Sequence, residues 1–258
     1  MDSDLQTLLL FSRYPAPGAC KSRLAEALGP ERAAALARAM LLDLVSRLPQ
    51  ELADIHCVLC FDPPEAMQQF QSLLSEVPQA LQRFALLPQR GKGLGERLAS
   101  ALETVRKDRP YTDLVFIGSD APELTAASIN EGFIITRGGR AGILRAQDGG
   151  YVLLALPCNA GASVFTNIHW SSQTTADEQV ARLRELGSEV VELSGQGWDI
   201  DEAADLKPLL NRLKKNPELA PRTLSALSAI GIESTSSQRP HTTSTQRPRR
   251  SQRPQRKT

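Results

Sequence analysis

The sequence predicts an α/β fold, with a mainly parallel sheet covered by helices on both faces. Two observations carry this. Apolar runs of strand length alternate with helix-period segments over most of the chain. Several of those runs are apolar throughout, as strands buried on both faces are.

The elements follow in order. Residues 7–11 (Thr-Leu-Leu-Leu-Phe) read as a buried strand. A helix is expected over 30–48, where Ala37, Leu41, Leu44, Val45 and Leu48 share one face and Arg38, Asp43 and Arg47 lie largely elsewhere. Residues 55–61 give a second strand. Asp62-Pro63-Pro64-Glu65 then reads as a helix start, with an acidic cap and an early proline. A short strand is expected at 83–87 and a helix at 94–107, striped by Leu94, Leu98, Ala101, Leu102 and Val105. Residues 113–118 are the clearest buried strand, and a helix follows from Thr125. Strands are expected at 141–146, 151–156 and 189–193. Between the last two, a helix over 175–186 stops at Gly187. Asp201-Glu202 opens a helix containing Leu206, Leu209, Leu210 and Leu213, with Asp201 as its N-cap. Asn216-Pro217-Glu218 starts one more. No internal repeat or linker interrupts residues 1–231, which read as one domain.

Composition narrows the class. The chain has 258 residues, 41% hydrophobic and 23% charged, as soluble globular proteins do. Aromatics are only 5%, so the core is expected to rest on Leu, Ala, Val and Ile. No apolar run reaches the roughly 18 residues of a membrane span. The acidic start, Met1-Asp2-Ser3-Asp4, does not read as a secretory signal. Four cysteines make no disulfide scaffold, and a reduced, cytoplasmic protein is expected. Cys57 and Cys60 have Cys-x-x-Cys spacing but fall in a strand, where side chains three apart face opposite sides. His56, His169 and His241 lack partners at ligand spacing and read as structural or surface residues.

The net charge of +1 conceals an asymmetry. Residues 234–258 hold seven Lys or Arg, no acid and three Gln-Arg-Pro repeats. The remainder carries 23 bases against 29 acids. A tail without apolar residues has nothing to offset its ordering entropy and is expected to be disordered. It reads first as a solvated extension, the alternative being an electrostatic arm for nucleic acid, membrane or an acidic partner. Without aromatics it gives little basis for nucleic-acid recognition, and any partner of the tail stays unidentified.

Four polar clusters fall where chemistry is expected, because open α/β sheets bind ligands beyond the carboxyl ends of their strands. The first, 12–24, combines Pro15, Pro17 and Gly18 with the cations Arg13, Lys21 and Arg23. Backbone amides and positive charge together suit nucleotide phosphates, although the glycine spacing is not that of a Walker loop. The bland alternative is a solvated basic loop. The second, Gly118 to Thr125, puts Asp120 directly after the best strand, where one or two carboxylates plus substrate phosphates suit magnesium. A turn or capping role is the alternative. The third, Gln147-Asp148-Gly149-Gly150-Tyr151, allows either a close backbone approach or a plain hairpin turn. In the fourth, Trp198 to Glu202, Asp199 and Asp201 would face the same way on extended backbone and offer a further metal ligand.

Taken together, the motifs resemble a known family. They are Pro-x-Pro-Gly-x-x-Lys-Ser-Arg-Leu at 15–24, Gly-x-Gly-Leu-Gly-Glu-Arg at 91–97, Gly-Ser-Asp-x-Pro-x-Leu-Thr at 118–125, Asp-Gly-Gly-Tyr at 148–151, Trp-Ser-Ser at 170–172 and Asp-Ile-Asp at 199–201. The order and spacing resemble a bacterial group of GT-A-like glycosyltransferases of the radical-SAM/selenodomain-associated or arsenosugar-biosynthesis type. The chain is more distantly similar to molybdenum-cofactor and phospholactate guanylyltransferases. The likeness covers residues 7 to about 212. It implies a GT-A-like fold that binds a nucleotide sugar or nucleoside triphosphate, a small-molecule acceptor, and a divalent cation (Mg2+ or Mn2+).

By position, the resemblance implies that Arg13, Pro17, Gly18, Lys21 and Arg23 hold nucleotide phosphates. Gly93, Gly95 and Arg97 would border the nucleoside, and Asp148, Gly149, Gly150 and Trp170 the acceptor. Asp120 with Asp199 or Asp201 would hold the metal, and Asp120, Lys21 and Asp148 would serve catalysis. The chain departs from the family in having Arg13 for Lys, Ser22 for Thr, Ala121 for Cys, and Leu144-Arg145-Ala146 where Gly-Pro-Ala is usual. The first reading is glycosyl transfer to a small acceptor. The alternatives are nucleotidyl transfer with release of pyrophosphate, and nucleotide binding without catalysis.

Overall fold

The computed structural model describes residues 5–232. The expected tail at 234–258 lies outside the described residues. Seven strands form one sheet: β1 (Gln6–Arg13), β2 (His56–Asp62), β3 (Phe84–Pro88), β4 (Asp113–Gly118), β5 (Ala141–Arg145), β6 (Tyr151–Leu156) and β7 (Val190–Glu192). Their order is β3-β2-β1-β4-β6-β5-β7. Only β6 runs against its neighbours β4 and β5; every other pairing is parallel. The hairpin reading of Asp148-Gly149 therefore holds, since β5 and β6 pair antiparallel, with an irregularity between Leu144 and Arg145.

Nine α-helices are described: α1 (Ser22–Leu28), α2 (Pro30–Glu51), α3 (Met67–Leu74), α4 (Ala80–Arg83), α5 (Leu94–Asp108), α6 (Ala126–Arg137), α7 (Thr175–Glu185), α8 (Ala203–Leu213) and α9 (Pro221–Ile230). Alternation along the strands divides the core between two faces. Leu8, Leu10, Cys57, Leu59, Val115 and Ile117 pack with α2, α3 and α6. Leu9, Val58, Cys60, Leu114 and Phe116 pack with α5 and α7. Cys57 and Cys60 thus occupy opposite faces, as the strand period requires. Burial pushes the Cys57 thiol up to about 11 and the Cys60 thiol higher still. A third cluster joins α1, the start of α2, Ile200, α8 and α9.

Several sequence expectations need correction. Helix α2 continues past residue 48, with Pro49 buried in its last turn. A proline so near the end costs the helix little of its hydrogen-bond ladder. Asp62 is not a helix cap. It ends β2, pairs across from Arg13, and directs its carboxylate to two arginines instead. The segment after Lys21 is a short helix rather than a continuous loop, held by Leu24 in the third cluster.

The last helix begins at Pro221, not near Pro217. Both prolines are acceptable first-turn residues, so a distant contact chooses between them. The buried Asp43 of α2 accepts the amides of Arg222 and Thr223 at 3.0 and 2.8 Å and the Thr223 hydroxyl at 2.8 Å. A side chain of α2 thus caps the positive end of α9.

Asp201 is likewise not the cap of α8; Glu202 takes that position. The amides of Asp201 and Glu202 both donate to the Asp205 carboxylate, at 2.9 and 2.7 Å. This leaves the Asp201 carboxylate available elsewhere.

Candidate active site

The sheet order changes direction at β1, which is flanked by β2 on one side and β4 on the other. That crevice is where an open α/β sheet takes a ligand. Backbone bonds fix its rim. Ser119 N donates to Phe11 O at 2.9 Å and Tyr14 N to Asp62 O at 2.7 Å. Ile200 N donates to Asp120 O at 3.0 Å, which joins the 199–201 segment to the end of β4.

Lys21 lies at the centre. Its ammonium bonds Asp120 Oδ1 at 2.7 Å, Asp201 Oδ1 at 2.7 Å and Ile200 O at 2.6 Å. Its side chain is only 7% exposed, whereas each carboxylate is 47% exposed. Burial opposes the charge, but the two carboxylates outweigh it and raise the Lys21 pKa above its ordinary value. The backbone of Lys21 is left-handed, with φ 50° and ψ 49°. For a residue with a Cβ this costs on the order of 1 kcal/mol. The three bonds to its ammonium hold it there.

The loop before it is built for a close approach. Gly18 has φ 75°, and a Cβ there would meet nothing within 4 Å. The constraint at Gly18 is therefore the turn itself, and the space above it is open. Arg23 projects from α1 to Glu202 at 3.0 Å, with both side chains largely exposed. It lies at the margin of the crevice rather than against Lys21.

A second charged group sits at the ends of β2 and β3. One oxygen of Asp62 receives Arg13 Nε at 3.1 Å and an Arg97 terminal nitrogen at 3.0 Å. Arg97 also donates to Gly91 O and to Gln89 Oε1. Gln89 is buried, and its amide donates to Cys60 O at 2.8 Å. Sequence reasoning selected the two arginines and missed Asp62 and Gln89, which position them. The available signal was an acid at the carboxyl end of β2, one strand away from Arg13.

The predicted glycines divide. Gly93 caps α5 in extended backbone and faces open space. Gly95 is buried, and a Cβ on it would lie 2.5 Å from Trp170 Nε1 and 2.8 Å from Phe165 O. Its small size admits Trp170, whose ring joins the α5 and α7 core. Trp170 and Gly95 thus meet each other. In the turn between β5 and β6, Gly149 has φ 91°, and a Cβ on it would lie 2.0 Å from Gln173 O. Asp148 Oδ1 accepts Gly150 N at 2.8 Å. Arg145, the departure noted in the sequence, is engaged by Asp177 at 2.7 Å and Glu192 at 2.8 Å. His169 is exposed and its ring contacts Glu178 at 3.0 Å.

Asp199 lies in the same mouth. Burial, then Asp148 and Asp201, push its pKa up to about 6, against which Lys21 acts only weakly. A carboxyl raised in this way favours the native state when protonated. The associated stability is fully present below about pH 4 and is lost as pH rises through 6. Asp199→Asn, which mimics the protonated form, is therefore expected to raise the melting temperature at pH 8 and to change it little at pH 4. Equal effects at both pH values would show that Asp199 is not electrostatically burdened.

A divalent cation is tested by the same geometry. Among the described residues, no three His, Cys, Asp or Glu side chains meet at ligand spacing. Asp120 and Asp201 do converge, both on the Lys21 ammonium. Two carboxylates completed by substrate phosphates fit the needs of Mg2+ or Mn2+.

Comparison with known proteins bears on the fold. Residues 46–172, just under half of the chain, match the family model described as "Uncharacterized protein conserved in bacteria (DUF2064)". The chain is 28% identical over 187 residues to 3-phospho-D-glycerate guanylyltransferase from Phenylobacterium zucineum (strain HLK1), covering 72% of this chain and 81% of that protein. Among solved structures it is similar to a candidate nucleotide-diphospho-sugar transferase from Desulfovibrio desulfuricans G20. There the TM-score is 0.76 at 28% identity, over 89% of this chain and 95% of the other. CMP:2-keto-3-deoxy-manno-octonic acid synthetase, solved with CTP, has a TM-score of 0.51 at 13% identity over 82% of this chain and 99% of the other, a likeness of fold alone. The fold is that of nucleotide-diphospho-sugar transferases. Among the described residues, no helix is long and apolar enough to cross a membrane.

Proposed function

We propose that this protein is a nucleotidyltransferase, joining a nucleoside monophosphate unit from a nucleoside triphosphate to a small acceptor and releasing pyrophosphate. The observation that carries the reading is the buried Lys21 ammonium bridging Asp120 and Asp201 at the switch point of the sheet. Its charge would be at hand for a polyphosphate bound in the crevice. Nucleotidyl transfer is preferred to glycosyl transfer because the curated relative is a guanylyltransferase. By the same relative, GTP is the donor to try first and 3-phosphoglycerate the first acceptor.

In this reading the open turn at Gly18 receives the phosphates and Lys21 neutralises charge as the bond between the α-phosphorus and the β-bridging oxygen breaks. An acceptor oxygen attacks the α-phosphorus, and pyrophosphate carries away the bonding electrons. A divalent cation held by Asp120 and Asp201 would supply further charge stabilisation on the phosphate oxygens. Arg13 and Arg97, fixed by Asp62, would border the nucleoside together with Gln89. A phosphate acceptor is already anionic and needs no base. Asp148, close enough to Asp199 to raise its pKa, would be a base for a hydroxyl acceptor.

Glycosyl transfer is the second reading, favoured by the Desulfovibrio structure. Product analysis separates them. Incubation with GTP, Mg2+ and 3-phosphoglycerate is expected to yield pyrophosphate and a guanylylated acceptor. Nucleoside diphosphate from a nucleotide sugar, with no pyrophosphate from any triphosphate, would reverse the assignment.

A further inference from the structure

The geometry points to Lys21 as a resident cation that occupies the metal seat until a nucleotide draws it away. This rests on the reading of the crevice as a nucleotide site. The ammonium has three oxygen partners within 2.7 Å: Asp120 Oδ1, Asp201 Oδ1 and Ile200 O. That is a cation's coordination set supplied by two carboxylates and a carbonyl. Magnesium binds oxygens at about 2.0–2.1 Å, so a divalent ion seated on the same two oxygens would lie close to the ammonium and be repelled by its charge.

The anchor of Lys21 is made for release. Its backbone is left-handed at a residue that is not glycine, so its resting place depends on the bonds at the tip of its side chain. The open space over Gly18 gives a phosphate room beside it. A polyphosphate there offers the ammonium new anionic partners. The two carboxylates, once vacated, repel each other and attract a divalent ion. Nucleotide and metal binding are thereby coupled, and by linkage each strengthens the other. The protein alone binds the metal poorly because it carries its own cation.

The test uses Mn2+ and the full chain. Lys21→Met retains the apolar stem, and Lys21→Gly also relieves the backbone. Without nucleotide, both are expected to bind Mn2+ about tenfold or more tightly than the unaltered protein, a usual size for coupling between sites. This is read by the loss of free Mn2+ signal in electron paramagnetic resonance. Mn2+ is also expected to raise the melting temperature of the variants and leave the unaltered protein unmoved. Adding Asp120→Asn to Lys21→Met is expected to abolish the gain. Equal or weaker Mn2+ binding in both Lys21 variants, or a gain that survives Asp120→Asn, overturns the inference. Failure of the unaltered protein to bind any triphosphate with Mn2+ overturns the nucleotide reading instead, and the nucleotide-free comparison still decides the role of Lys21.

Discussion

Asp120→Asn is expected to lower the rate of pyrophosphate release on the order of 10²- to 10³-fold, the usual loss on removing one preorganised electrostatic group from a transition state. The fold is expected to survive. Ile200 N binds the backbone carbonyl of Asp120 rather than its carboxylate, so the substitution leaves the rim intact. Lys21 keeps Asp201 and Ile200 O as partners. In the proposed reaction the lost quantity is one negative charge at the switch point, which would orient Lys21 and hold a cation against the phosphates. A turnover number within threefold of the unaltered protein, at equal melting temperature, would place the chemistry elsewhere.

The largest expected stability effect lies far from that chemistry. Asp43→Ala removes a fully buried carboxylate that accepts three hydrogen bonds from the start of α9 and lies 3.5 Å from the Arg222 guanidinium. The amides of Arg222 and Thr223 lose their partner, the helix loses its counter-charge, and a cavity opens between α2 and α9. A loss of about 3–5 kcal/mol is expected, from hydrogen bonds to a charged group worth about 1.5–3 kcal/mol each. For a domain of this size that corresponds to a fall in melting temperature of roughly 6–20 °C. Asp43→Asn is expected to lose less, because one acceptor oxygen remains. Urea denaturation midpoints check both. An unchanged midpoint for Asp43→Ala would mean that α9 docks without its cap.

Much of the site was legible because its chemistry follows its strands. Asp120 comes just after β4, a buried apolar strand, and Lys21 follows a proline-glycine turn after β1. Asp199 and Asp201 flank Ile200, which is buried with α1 and α8 while the two acids stay partly exposed. Such features are local, and local patterning is what a sequence displays. Gly95 shows where that legibility stops. The resemblance places it beside the nucleoside, while in the fold its missing Cβ makes room for Trp170, 75 residues further on. Asp62 shows the same limit from the other side. Next to two prolines it looks like a helix cap, yet its partners are Arg13 and Arg97, from other elements.

The sequence by itself determined the alternation of strands and helices, the two-faced core and the placing of charged groups at strand ends. These depend on side-chain periodicity and on the cost of burying polar backbone, both of which act over a few residues. Only the tertiary structure decided which of two prolines starts α9, that Glu202 rather than Asp201 caps α8, and that the Lys21 ammonium seats between two carboxylates. The first and the last of those outcomes depend on contacts made 99 to 180 residues apart, such as Lys21 with Asp120 and Asp201 and Asp43 with Thr223. Hydrogen bonds and ion pairs act over a few ångströms in space, whatever the distance along the chain, and it is the fold that brings the partners within reach.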